Sequence, residues 1–117
     1  MNKKDTLMDA ISGSGNLRDA VKVLIEAGKQ TIGAPSVSFR AESLALALMR
    51  FLKSEVNATD LEQWCEALEG NDAIEYEEGH QQVISSILFE VSSPDINGPL
   101  TREKCIEMLA KLKEASR

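Results

Sequence analysis

The residues of this chain best suited to chemistry are carboxylates, and they are unevenly placed. Between positions 59 and 90 stand Asp60, Glu62, Glu66, Glu69, Asp72, Glu75, Glu77, Glu78 and Glu90, with no Lys or Arg, although the chain carries 13 Lys plus Arg in all. Eight basic and six acidic side chains precede this stretch and five basic and four acidic follow it, so the net charge of −6 arises inside it. Carboxylates crowded together repel one another and gain nothing from internal ion pairs, which costs stability unless a partner or counterions neutralise them. The plain explanation is a solvated, solubilising face. A run of 32 positions without one cation argues further, for a basic protein as the complement. The same balance of charge disfavours direct nucleic-acid binding, which needs a basic surface.

Other candidate chemistry is thinner. His80 is the only histidine, and a catalytic constellation would need a Ser, Thr or Cys that the sequence does not place beside it. The expected position of His80 is exposed, in the first turn of a helix. A metal site built on His80 with Glu77 or Glu78 lacks a second His or a paired Cys, and no cofactor is expected. Gly13-Ser14-Gly15-Asn16 has neither the preceding strand nor the Lys of a phosphate-binding loop and reads as a turn between helices. Cys65 and Cys105 fall on apolar helix faces, as reduced core thiols do, and no signal-peptide pattern is evident, so a cytosolic protein is expected.

The elements that must position these groups are helical. At 117 residues one domain, 1–117, is expected. The longest apolar run is the six residues Leu44 to Met49, where a membrane span needs about 20. Apolar spacing predicts an all-α bundle of about five helices, beginning with a short N-terminal one around Leu7 to Ile11. One stripe holds Leu17, Val21, Leu24 and Ile25, capped by Asn16 and ending in a left-handed exit at Gly28. Beyond Gly33 and Pro35 a second holds Leu44, Leu48, Phe51 and Leu52. Thr59-Asp60-Leu61-Glu62 reads as a capping box opening a helix with Leu61, Trp64, Cys65 and Leu68 inward, ending near Gly70. The next helix, from Gly79 or His80, turns Val83, Ile84, Ile87, Leu88 and Val91 inward and stops at Ser92-Ser93-Pro94. After a tight connection from Asp95 to Pro99, Thr101 caps a last helix with Cys105, Ile106, Leu109 and Leu112 inward, and Leu100 is placed as a hydrophobic staple.

The 3.6-residue period puts Glu62, Glu66 and Glu69 within an arc of about 60° opposite the Leu61, Trp64, Leu68 stripe. The following loop extends that acidic face with Asp72, Glu75, Glu77 and Glu78 around Tyr76. Trp64 sits mid-stripe and reads as core, whereas Tyr76, among carboxylates, is the better interface anchor. Phe89 points about 160° from the stripe of its helix, which favours a helix buried on two sides over an exposed contact. Leu46 poses the same choice one helix pair earlier.

Two stretches, Asp60-Leu61-Glu62-Gln63-Trp64 through Glu69-Gly70-Asn71-Asp72 and the segment from Leu88-Phe89-Glu90-Val91 through Pro94-Asp95-Ile96-Asn97-Gly98-Pro99-Leu100-Thr101, resemble small helical immunity proteins of bacterial toxin systems. The contact-dependent growth inhibition type is the nearest group and the colicin type a more distant one, and the likeness spans about residues 44 to 112. It implies a non-enzymatic inhibitor whose partner is the C-terminal domain of a cognate toxin, often a nuclease with a basic groove. The interface it implies is Glu62, Glu66, Glu69, Asp72, Glu75, Tyr76, Glu77 and Glu78, blocking substrate by occlusion. The rival expectation is a helical adaptor that binds a basic region of a host protein or self-associates through Leu46 and Phe89.

Overall fold

A computed structural model describes residues 3–29 and 36–116. Among these, seven helices and two three-residue strands follow in the order α1 (Lys3–Ile11), α2 (Leu17–Gly28), β1 (Val37–Phe39), α3 (Ala41–Leu52), α4 (Ala58–Leu68), β2 (Ile74–Tyr76), α5 (Gln81–Ser92), α6 (Pro94–Asn97) and α7 (Arg102–Ala115). The protein is therefore mostly helical, with more helices than the five or so expected. One addition is the single turn α6, in the segment expected to be only a connection. The expected break at Gly33 and Pro35 lies outside the described residues.

The strands depart from the all-helical expectation. They pair in parallel, Val37 with Ile74, Ser38 with Glu75 and Phe39 with Tyr76, so Tyr76 lies in a strand and not in a loop. Three residues are too few to show a period of two, and the pairing joins segments 37 positions apart, beyond the reach of any local pattern. The ladder is extended at both ends: the Val37 amide donates to the Ala73 carbonyl at 3.1 Å and the Glu77 amide to the Phe39 carbonyl at 2.9 Å.

Trp64 on α4 is the centre of the core. It is fully buried, its indole N–H donates to the Ala10 carbonyl at the end of α1 (2.9 Å), and its ring meets Phe39 of β1 edge-on at 5.5 Å and 77°. One residue thus ties α1, β1 and α4 together, and the Ala10 bond satisfies a carbonyl that a helix end leaves without a partner. Leu61, Cys65 and Leu68 share its buried face as expected. Around it α4 packs chiefly on α2 and α5, and α3 on α7.

Local start and stop signals are realised in part. Asn16 and Thr101 cap α2 and α7, their side chains accepting from the Asp19 and Lys104 amides. The capping box does not form: Asn57, two residues earlier, accepts from the Asp60 amide at 2.8 Å, and α4 starts at Ala58. Asn is at least as good an N-cap as Thr, and the earlier start adds helix over the same core. Nor does Gly28 make a left-handed exit, since α2 ends at Lys29 in right-handed geometry. Its lack of a side chain serves a close approach instead, because a Cβ there would lie 3.3 Å from the Asn71 carboxamide.

That carboxamide is a cross-link. Asn71 Nδ2 donates to the Leu24 carbonyl at 2.9 Å and the Ala67 carbonyl at 3.0 Å, while Oδ1 accepts from the Ala73 amide at 3.0 Å. Replacing Asn71 by Ala removes bonds joining α2, α4 and the approach to β2. It is expected to cost about 3 kcal/mol, at roughly 1 kcal/mol for each of the three partly buried bonds. The shift in urea midpoint measures it, and an unchanged midpoint would show these bonds to be equally well made by water.

Two stripes are rotated from expectation. On α2 the buried residues are Leu17, Ala20 and Leu24, and Ile25 is exposed; on α7 they are Cys105, Met108 and Leu112, and Ile106 is exposed. On α3, Ala41, Leu44, Ala47 and Leu48 are buried while Phe51 and Leu52 are half-buried. On α2 and α7 the inward side is thus shifted toward Ala20 and Met108, which stand where the expected stripes held Ile25 and Ile106. Leu100 is half-buried and packs against the core. No described helix is long and apolar enough to cross a membrane.

Candidate functional site

The acidic segment folds into the outer flank of α4, the β2 strand and the turn leading to α5. Glu66 on α4, Glu69 directly after its last residue, Asp72 before β2, Glu75 on β2 and Glu78 in the turn are exposed, and Glu62 on α4 is half-buried. Among the described residues no Lys, Arg or His lies within 4.0 Å of any of these six carboxylates, and the ion pairs found there involve other residues. Their charge is therefore uncompensated and faces outward.

Two of the other three acidic residues of the segment, Asp60 and Glu77, are spent on the fold. Asp60 takes the Arg18 guanidinium at 3.0 Å, linking α4 to α2. Glu77, expected as an interface residue, instead accepts from the Ala41 amide at 2.9 Å through Oε1, and its Oε2 lies 3.6 Å from His80 Nδ1. Arg40, the residue before α3, provides no side-chain cap of its own, so Glu77 serves as the N-terminal cap of α3 from 36 positions away. Replacing Glu77 by Ala is expected to lower stability by about 1 kcal/mol, the usual worth of a lost cap. Glu78→Ala, one position on and exposed, is the matched control and should leave the thermal midpoint unchanged.

His80 corrects a further expectation. It stands at the N-cap position of α5 but is mostly sheltered, with 17% of its side chain exposed, and its Nε2 lies 3.3 Å from Ser116 Oγ at the end of α7. Glu77, His80 and Ser116 thus stand in the order acid, imidazole, hydroxyl. The Ser116 hydroxyl donates to the Leu112 carbonyl at 3.1 Å, and Glu77 is held by Ala41, so the network clips the β2–α5 turn to the start of α3 and the end of α7. Ser116 could not have been found from sequence, because nothing local marks a partner 36 residues away. Among the described residues no three His, Cys, Asp or Glu side chains converge on a point where a metal would sit.

Tyr76 is half-buried and packs against the core from β2. Burial, and then the nearby Glu69 carboxylate, push its phenol above the ordinary range, against a backbone hydrogen bond at Gly70 that lowers it. Tyr76 therefore stays protonated at the edge of the acidic flank, with only part of its surface open to a partner. Cys65 beneath the same flank is fully buried, and burial followed by Glu69 and Glu62 raises its thiol strongly; the Cys105 thiol is pushed up to about 11 by burial, opposed by Arg102. Neither thiol is positioned to react.

The Gly13-Ser14-Gly15 turn is a structural contact. Gly13 takes φ +78° with its Cα so close to the Ser43 carbonyl that a Cβ would collide, and Arg50 donates to the Gly13 carbonyl at 2.6 Å and the Gly15 carbonyl at 2.9 Å. Carbonyls turned onto a guanidinium hold a cation, the opposite of a phosphate cradle.

Phe89 and Leu46 are both exposed, at 45% and 40%, so α5 is not buried on two sides. Phe89 lies one turn before Ser92, whose hydroxyl donates to Glu69 Oε1 at 3.0 Å and approaches the Phe89 carbonyl at 3.3 Å. The acidic flank of α4 and the outer flank of α5 consequently meet at Glu69, a junction between residues 23 positions apart that no local pattern announces. No family model, curated protein or solved structure matches this chain.

Proposed function

We propose that this protein is an immunity-type inhibitor that binds a basic toxin domain through the α4–β2 flank and denies it access to substrate. The observation that carries the reading is the set of six carboxylates, Glu62, Glu66, Glu69, Asp72, Glu75 and Glu78, that the fold leaves without a cation among the described residues while sequestering Asp60 and Glu77. Self-repulsion of this kind is relieved by a partner that brings Lys and Arg, and a concentrated negative potential speeds encounter with such a partner. The resemblance to contact-dependent growth inhibition immunity proteins points the same way and makes the cytosol the place of action. Tyr76 contributes its exposed edge and Glu77 acts from behind, by holding α3 and the turn in place.

The test is a calorimetric titration with the C-terminal domain of the protein encoded immediately upstream, at low and at high salt. Tight binding that weakens as salt rises supports the reading, because exposed charge contacts are screened beyond about 10 Å at 0.1 M ionic strength. Absence of binding at low salt overturns it. The adaptor reading draws on the exposed Leu46 and Phe89, but these stand on helices with different main packing neighbours, α7 for α3 and α4 for α5. A concentration-dependent mass in sedimentation would favour self-association.

A further inference from the structure

The exposed apolar residues toward the end of α5 border the acidic flank. Phe89 is 45% exposed, and Ile96 on α6, which begins two residues beyond α5, is 74% exposed. Both are more costly to leave in water than the polar residues that commonly occupy such positions, and aromatic side chains are enriched in the buried centre of protein interfaces. Their setting is specific. Ser92, one turn after Phe89 on the same helix, donates to Glu69 Oε1, and by the helical period the Phe89 position lies about 60° around α5 from Ser92, next to the cation-free flank. By the helical period Glu62 lies within about 20° of Glu69 around α4, and Glu66 about 60° further out.

We infer that Phe89, with Ile96 beside the same helix end, is the apolar anchor of the interface, and that it enters a hydrophobic pocket rimmed by Lys or Arg on the partner protein. The inference rests on the acidic-flank reading and specifies the partner's complementary surface. Charge decides the occupant: an acidic rim would be repelled by Glu69, Glu66 and Glu62, and a neutral one would strip water from these carboxylates without pairing them. A second copy of this chain is disfavoured for the same reason, because a symmetric contact at Phe89 would bring two acidic flanks together. The division of labour follows. The carboxylates attract and orient, and their effect fades with salt, while the ring slows dissociation and its effect persists.

The experiment compares wild type, Phe89→Ala and Glu66→Lys in titrations against the upstream-encoded toxin domain at low and high salt, with thermal unfolding as the check on folding. Phe89→Ala is expected to weaken binding about 30-fold at both salt concentrations, the level of an interface hot spot, and Glu66→Lys to weaken it only at low salt. Since Phe89 is exposed, both variants should unfold at the wild-type temperature. Wild-type binding with Phe89→Ala within twofold of it overturns the anchor and leaves the acidic-flank reading standing. No binding by wild type overturns both.

Discussion

Trp64→Ala is expected to remove about 3 to 5 kcal/mol of folding stability, the largest loss available from one side chain in this protein. Domains of this size are stable by only about 5 to 15 kcal/mol, so the variant should stand near the edge of folding. The substitution removes three things at once: a fully buried indole, its edge-on packing against the Phe39 ring, and the hydrogen bond that closes the end of α1 at Ala10. Trp64→Phe separates these. It keeps most of the apolar volume but leaves the Ala10 carbonyl facing the interior without a donor, which costs about 1 to 3 kcal/mol. Trp64 is the only tryptophan, so unfolding in urea must be followed by circular dichroism and not by intrinsic fluorescence. A loss under about 1 kcal/mol in Trp64→Ala would mean that α1 and β1 are held in place without the indole.

How much of the fold is legible in the sequence depends on the range of the interaction responsible. The inward face of α4 is legible because Leu61, Trp64, Cys65 and Leu68 share one arc, and so are the caps at Asn16 and Thr101, where the polar residue and the amide it accepts from lie three positions apart. Asn57 and Thr59 are both competent caps, and only the packing of the first turn chooses between them. The β1–β2 pair is illegible, since its hydrogen bonds join residues 37 apart and its strands are too short to print a pattern. The stripes of α2 and α7 differ from the apolar periodicity by one position at their edges. Ile25 and Ile106 are strongly apolar, but Ala20 and Met108 occupy the side where a neighbouring helix arrives.

The site divides in the same way. That the segment lacks cations is a property of sequence and needs no coordinates. Which carboxylates remain free is a property of the fold: Asp60 and Glu77 are claimed by Arg18 and by the start of α3, both distant in the chain. Charge patterning therefore marks the acidic segment, and only the fold shows that Glu77, one of the eight residues expected at the interface, is also tied to the start of α3. It is also blind to Phe89, whose 160° offset from the stripe places the residue apart from the core but does not distinguish a second buried side from solvent.

Reversing Glu62, Glu66 and Glu69 to Lys together is expected to abolish capture of a basic partner, with at least a roughly 100-fold loss of affinity at low salt, because each substitution replaces an attraction by a repulsion. Folding should survive with a small penalty, since Glu66 is fully outward, Glu62 is half-buried and Glu69 gives up one exposed hydrogen bond from Ser92. The reversal also takes the net charge from −6 to zero, which by itself slows encounter and favours self-association. A matched control removes that ambiguity. Glu103, Glu107 and Glu114 are exposed on α7, and reversing them changes the net charge equally while leaving the α4 flank intact. Titration of both variants against the upstream-encoded toxin domain at two salt concentrations separates local from global charge. If the α7 variant loses as much affinity as the α4 variant, binding follows total charge and the flank has no special role. If only the α4 variant fails, and the difference narrows as salt rises, the attraction is local to α4, with the remaining affinity carried by uncharged contacts such as Phe89.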